Sequence, residues 1–129
     1  SRSDLDAVAS LAGRFLADVT SGRYDAVELT DDGLVYAVAD GVAAPVVSGG
    51  DEDLIALVLR LATMMVSAAA MPGPAFMIVD EPFGTMDDER EGRVFELFRK
   101  LAGERGQVII ATRRENAETW SDGVVALGT

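Results

Sequence analysis

Apolar positions fall in two rhythms along this chain, and the change of rhythm divides it into elements. From Asp4 to Thr20, Leu5, Val8, Leu11, Ala12, Phe15, Leu16 and Val19 recur at spacings of three and four. That spacing lays one apolar stripe along a helix. Ser3 or Asp4 is placed to cap its start, and Ser21-Gly22 to end it. Three runs of strand-forming residues follow, Tyr24–Thr30, Leu34–Asp40 and Val42–Val47, separated by the turn signals Asp31-Asp32-Gly33 and Asp40-Gly41. They predict a β-meander. The helical rhythm returns from about Glu52 to Ala70, with Leu54, Leu57, Val58, Leu61 and Met65 among alanines. A helix apolar on nearly every side belongs at the centre of a molecule. Met64, Met65 and Met71 read as core filling.

The rhythm then stops. Ala75-Phe76-Met77-Ile78-Val79 is an unbroken apolar run, preceded by Pro72-Gly73-Pro74 and closed by Asp80-Glu81-Pro82. Its length and bounds predict a strand buried on both faces. Phe83-Gly84-Thr85-Met86 reads as a loop, and Asp87 opens another helix. Asp87, Asp88 and Glu89 stand in its first turn and Arg99-Lys100 near its end, as the helix dipole favours. Val94, Leu97, Phe98 and Leu101 form its stripe, and Gly103 to Gly106 end it. Gln107–Thr112 is a second buried strand, followed by Arg113-Arg114-Glu115, a short helix through Trp120 and a last strand, Val124–Leu127. Strand, helix, strand, short helix, strand implies a parallel sheet. The fold class is therefore α/β: a mostly parallel sheet with flanking helices, plus an N-terminal helix and a β-meander.

Composition narrows the chemistry. At 129 residues the chain is one domain. It has no cysteine, which removes disulfides and thiolate metal sites and fits a reducing compartment. It has no histidine either, so the commonest general base and zinc ligand are missing. The longest apolar region, Leu61 to Val79, is broken by Ser67 and by Pro72-Gly73-Pro74, which is no membrane span. The expectation is a soluble cytoplasmic domain. Net charge is −11 and the single lysine is Lys100. Duplex DNA is held mainly by Lys and Arg, so DNA would be reached only through a partner. The chain opens at Ser1 without an initiator methionine, which suggests an excised fragment or a processed product.

Two stretches carry candidate chemistry. Asp80 and Glu81 emerge at the carboxyl end of their strand, where open α/β sheets place ligands. Adjacent carboxylates about 5 Å apart repel by roughly 3 kcal/mol at an effective dielectric near 20. A hydrated Mg²⁺ at Asp80 would offset that, leaving Glu81 to orient and deprotonate a water. An apolar run ending Asp-Glu is the Walker B pattern of a P-loop ATPase with its base attached; a core strand ending in two solvated acids is the other reading. Ser48-Gly49-Gly50-Asp51 precedes the central helix. Two glycines there admit a ligand to the backbone, and first-turn N–H groups can hold a phosphate; a plain flexible cap is the alternative. A Walker A loop, G-x-x-x-x-G-K-[ST], is absent: Lys100 lies between Arg99 and Leu101 with no glycine pair before it. The phosphate cradle must then come from another polypeptide or an N-terminal segment, and this chain alone should not hydrolyse ATP.

Taken in order, Ser-Gly-Gly, apolar helix, apolar strand ending Asp-Glu-Pro, Asp-led helix and Val-Ile-Ile strand resemble the C-terminal lobe of an ABC-type P-loop ATPase head. More narrowly, the chain resembles the SbcC family of double-strand-break-repair ATPases, relatives of the structural-maintenance-of-chromosomes (SMC) proteins. Thr20-Ser21-Gly22-Arg23-Tyr24 is similar to the stretch that follows that family's coiled coil. Val47-Ser48-Gly49-Gly50-Asp51 resembles the ABC signature, and Leu57-Val58-Leu59-Arg60-Leu61-Ala62 the helix behind it. Asp80-Glu81-Pro82 and Met86-Asp87-Asp88-Glu89-Arg90 resemble Walker B and the D-loop.

The resemblance implies roles. Ser48, Gly49, Gly50 and Asp51 would contact ATP bound to an opposite head, in trans. Asp80 would hold Mg²⁺, Glu81 would act as general base, and Asp87 would sense the partner across the dimer. Helix Asp4–Thr20 would be the root of the returning coiled coil. Implied partners are the N-terminal Walker A lobe of the same protein, a second ATPase head, an SbcD-like nuclease, and DNA through the full assembly, in the cytoplasm and on the nucleoid. Two departures from the family stand out. Arg113 takes the place of a histidine that would reach the γ-phosphate, and Asp51-Glu52-Asp53 sets three acids behind the signature glycines, opposing a nearby triphosphate. A degenerate, non-hydrolysing dimerisation or regulatory module and another SMC, RecF or RecN-type head are the alternatives.

Overall fold

The computed structural model describes residues 2–45, 49–73 and 75–127. Helix α1 (Arg2–Val19) turns Val8, Ala12, Phe15, Leu16 and Val19 inward, the stripe that the spacing predicts, while Leu5 stays exposed. The helix starts ahead of Ser3 and Asp4, which therefore sit within its first turn and do not precede it as caps. Its end is closed by the Gly22 N–H, which donates to the Ala17 carbonyl at 2.8 Å and satisfies an acceptor the helix leaves open.

Strands β1 (Ala26–Leu29), β2 (Val35–Ala39) and β3 (Val42–Pro45) form the antiparallel meander, in that order. The expected continuation of the third run to Val47 lies outside the described residues. Helix α1 crosses β1 so closely that a Cβ on Gly13 would stand 3.1 Å from both Ala26 Cα and Val27 N. Glycine is what permits that approach.

Helix α2 (Gly49–Ala69) begins three residues earlier than the apolar rhythm indicates and takes both glycines into its first turn. Leu54, Leu57, Val58, Leu61 and Ala62 are fully buried in the one core that also holds the stripes of α1 and α3. Burying each leucine contributes roughly 2 kcal/mol. No helix among the described residues is long and apolar enough to cross a membrane.

Strand β4 (Ala75–Asp80), helix α3 (Asp88–Arg105) and strand β5 (Gly106–Ala111) form a β-α-β unit. The strands pair in parallel, from Ala75 opposite Gly106 to Asp80 opposite Ala111. Asp87 caps α3 through its side chain, which accepts the Arg90 N–H at 2.8 Å. The segment labelled a loop by its composition, Phe83 to Met86, carries the most deeply buried aromatic: Phe83 is packed with Phe95 and Phe98.

Three expectations about strands are corrected. The first is that Gln107–Thr112 is buried: in β5 Val108 and Ile110 are half-buried, while Gln107 and Ile109 are exposed. Strand β4 is buried on one face only: Met77 and Val79 face the core, whereas Phe76 is 64% and Ile78 58% exposed. Side chains alternate along a strand, and among the described residues the second face of this two-stranded sheet has no cover. Val124–Leu127 forms no strand, and Val125 and Leu127 stay exposed. A strand needs a ladder partner, and among the described residues the parallel sheet has two strands. Short helix α4 (Ala117–Trp120) does form, held by Trp120 stacked on Phe95 with ring centroids 5.8 Å apart and by Arg99 Nη2 donating to the Trp120 carbonyl at 2.7 Å.

Candidate functional site

Asp80 is the last residue of β4 and is exposed at the carboxyl edge of the parallel pair. Glu81 leaves the ladder: its N–H still donates to the Ala111 carbonyl at 2.7 Å, but its φ is +40°. The left-handed region costs a residue with a side chain about 1–2 kcal/mol, and such strain concentrates at functional sites. The turn aims the Glu81 carboxylate at the segment after β5. One oxygen accepts the Arg113 N–H and the other accepts from Thr112 Oγ1 at 3.3 Å. The two acids and the end of Gln107–Thr112 are therefore together, on an edge open to solvent. Among the described residues no lysine or arginine side chain forms an ion pair with either acid.

Arg113 meets Glu81 through its backbone, and its side chain is exposed. Its neighbour Arg114 points the other way. Nη1 of Arg114 donates to Glu91 at 2.6 Å and Nη2 donates to the Gly84 carbonyl at 2.9 Å, with the guanidinium 5.8 Å from the Phe83 ring centre. Glu91 is 1% exposed.

The turn at the start of α2 is built differently. Ser48 lies outside the described residues; Gly49 and Gly50 open the helix. The Asp51 carboxylate faces inward, accepting from Arg23 at 2.8 Å, Tyr24 Oη at 2.7 Å and Arg90 at 2.7 Å. Partial burial pushes the Asp51 carboxyl up, but the hydrogen bonds from Tyr24, Arg23 and Arg90 outweigh it and hold it below its usual 3.8. The same bond raises the Tyr24 phenol above its usual 10.0, with burial adding to it. Asp53 is likewise engaged, accepting from Thr85 N at 3.2 Å and Thr85 Oγ1 at 3.0 Å. A Cβ on Gly84 would stand 2.6 Å from that Asp53 oxygen. Of the three acids expected to oppose a triphosphate, two already have internal donors; Glu52 is the exposed one. Asp51, expected as a nucleotide contact, has its side chain committed to the protein. Asp87 uses its carboxylate as the α3 cap, and Arg90, which it caps, reaches Asp51. The first turn of α2 and the first turn of α3 are thus tied by one arginine.

Two grooves lie away from this edge. One of about 230 Å³ includes Arg14, Phe15, Asp18 and Lys100, and one of about 450 Å³ includes Leu5, Leu29, Leu59 and Val66. Asp80 and Glu81 themselves stand exposed at the sheet edge. Among the described residues no group of three or more acids forms a metal cage. Mg²⁺ is commonly held by one or two carboxylates, with waters and substrate phosphates completing its shell. An exposed Asp80 free of cationic partners fits that ligation.

Sequence reasoning missed the residues that brace these two turns: Glu91, Arg114, Arg23, Tyr24, Arg90, Asp53 and Thr85. One signal was present. Glu91 stands three residues before Val94 and seven before Phe98, on the apolar stripe, and an acid buried there demands a base.

No protein-family profile matches the chain. It is similar in sequence to a DNA double-strand break repair Rad50 ATPase of Methanopyrus kandleri, 34% identical over 125 residues, covering 92% of this chain and 14% of that protein. The chain spans 14% of the length of the curated relatives first matched. Among solved structures, one described under ATP-driven dimerization and DNA-stimulated activation of SMC ATPases superposes with a TM-score of 0.78 over 99% of this chain and 80% of that one, at 20% identity. The Smc head domain with a coiled coil and joint from Pyrococcus yayanosii superposes at 0.65, with 25% identity, over 92% of this chain and 24% of that one.

Proposed function

We propose that this chain, which is an SMC/Rad50-like ATPase lobe, serves as the C-terminal half of an ATPase head and completes an ATP site with an N-terminal Walker A lobe. The observation that carries this is the meeting of Asp80, Glu81, Thr112 and Arg113 at one open sheet edge, with Glu81 on a strained backbone. In the completed head Asp80 would hold Mg²⁺, which would supply charge neutralisation at the transferring phosphate. Glu81 orients and deprotonates the attacking water. Arg113, exposed beside it, supplies a permanent cation toward the γ-phosphate, a role in which arginine stabilises charge but accepts no hydrogen bond. Ser48, Gly49 and Gly50 meet the ATP of an opposite head, and Asp87 senses that head; Asp51 acts behind them. ATP-gated dimerisation then serves DNA double-strand-break repair, with DNA and an SbcD-like nuclease engaged through the full cytoplasmic assembly and not by this acidic lobe.

The seat for the Walker A lobe is the uncovered face of the parallel pair, where Phe76, Ile78 and Ile109 stand exposed. Apolar side chains in that number on one sheet face are unusual for a surface left to water. A second reading, a head that dimerises without hydrolysis, draws on the two hydrogen bonds that already occupy both oxygens of Glu81.

Combining the chain with an N-terminal Walker A lobe of the family tests both. ATP turnover that Glu81→Gln abolishes, with an ATP-dependent dimer trapped, supports the enzyme. ATP-dependent association without phosphate release supports the second reading. Neither association nor turnover rejects both.

A further inference from the structure

We propose that Arg114, clamped between buried Glu91 and the Gly84 carbonyl, is a positioning residue that sets where Glu81 is held. Its action on a general base rests on the function proposed above; the clamp itself does not.

The anchor starts at Glu91, in the first turn of α3. An ionised carboxylate withdrawn from water is costly unless paired, and Glu91 is 1% exposed. Arg114 Nη1 reaches one of its oxygens at 2.6 Å, while the other has no hydrogen-bond partner. Arg114 therefore carries the compensation alone and cannot swing away without stranding a buried charge. Its second edge is fixed as well, by Nη2 donating to the Gly84 carbonyl at 2.9 Å, above the ring of fully buried Phe83. A planar fork that binds two acceptors at once is a property of arginine that lysine lacks.

From that anchor the path to Glu81 is short. The Arg114 N–H donates to Thr112 Oγ1 at 3.1 Å. A hydroxyl that accepts there still has its proton to give, and Thr112 Oγ1 donates it to Glu81 at 3.3 Å. Between them, the Arg113 N–H donates to the second Glu81 oxygen. Both donors that hold the carboxylate therefore belong to a three-residue turn whose far end is pinned in the core. The Gly84 contact pins the loop that leaves Glu81 to the same guanidinium. One side chain thus fixes both sides of the strained residue. Misplacing a reacting group by about 1 Å costs about 100-fold in rate.

The test follows the Arg113 amide resonance of the ¹⁵N-labelled chain in four proteins: wild type, Glu81→Gln, Arg114→Gln and Arg114→Lys. An N–H on an ionised carboxylate resonates downfield, and Glu81→Gln marks the position without that acceptor. Arg114→Gln is expected to move the amide toward that mark while the amides of β1–β3 keep their places. Arg114→Lys, which keeps a charge for Glu91 but loses the second bond, should move it part of the way. An amide unmoved in both variants overturns the proposal. Should Arg114→Gln unfold, Arg114→Lys alone decides on the same criterion. In the head combined with a Walker A lobe, Arg114→Lys is expected to lower kcat up to about 100-fold with KM for ATP unchanged. A rise in KM with kcat unchanged contradicts the positioning role. A wild-type head without turnover strikes the ATPase reading and leaves the amide shift to judge the clamp.

Discussion

Asp51 and Glu81 are acids on neighbouring turns of one core, and their surroundings differ in kind. Asp51 is turned inward and saturated by two guanidiniums and a phenol. Glu81 stands exposed, held by a backbone N–H and a hydroxyl, on a backbone that carries strain. A carboxylate given cations is spent on structure: its charge is cancelled and its position defined. A carboxylate held by neutral donors keeps its charge for a ligand. The first turn of α2 is braced by charge, and the tip of β4 is held by neutral donors.

The sharpest way to break that contrast is to remove each charge in turn. In the combined head, Glu81→Gln should lower ATP turnover by about 1,000-fold, while urea unfolding of the chain changes by less than about 0.5 kcal/mol. Asp51→Asn should do the reverse: it strands Arg23 and Arg90, costs about 2 kcal/mol of stability, and lowers turnover far less than Glu81→Gln does. Equal effects in both assays would erase the distinction.

Gly84→Ala probes the joint between the two turns. A methyl group must displace the Asp53 carboxylate from Thr85 and adopt a φ of +51°, at an expected cost of about 2 kcal/mol in the same urea titration. A neutral result would mean that the Asp53–Thr85 link is dispensable.

The pH dependence of stability gives a smaller signal. Asp51 titrates below its usual 3.8 in the folded chain, so its contribution is complete above that value and is lost as pH falls through the depressed one. Tyr24 titrates above its usual 10.0, so its contribution is complete below that value and is lost as pH rises through the raised one. Unfolding midpoints measured at both ends of the scale should show both contributions in the wild type; Asp51→Asn should remove the Asp51 contribution and reduce that of Tyr24, whose burial remains. The smallest effect belongs to Glu52→Gln: the side chain is exposed, and stability should stay within about 0.5 kcal/mol.

Much of the fold was legible because it follows from periodicity. The three-four spacing of Val8, Ala12, Phe15 and Val19 located α1, and the run from Ala75 to Val79 located β4 with its acids at the correct edge. That the acids lie near the end of Gln107–Thr112 was legible from strand order; their hydrogen bonds with Thr112 and the Arg113 N–H were not. What escaped was whatever depends on a neighbour the sequence does not display. An apolar run predicts two covered faces, but Phe76 and Ile78 lack a cover among the described residues. Val124–Leu127 has strand composition without a ladder. Asp51 reads as a ligand contact until Arg23, Tyr24 and Arg90, remote in the chain, converge on it. Glu91 and Arg114 are separated by 23 positions, and only the fold makes them a pair.

On the proposed function, Asp80 and Glu81 form half of a metal-nucleotide site completed by a second lobe. Its most direct test is paramagnetic broadening by Mn²⁺-ATP, as a stand-in for Mg²⁺-ATP, in the labelled chain combined with a Walker A lobe. The amides of Asp80, Glu81, Thr112 and Arg113 are expected to broaden first while β1–β3 stay sharp, and the effect is expected to be lost in Asp80→Asn. Broadening centred on any other part of the chain, or none at these four residues while the lobes are joined, would contradict it.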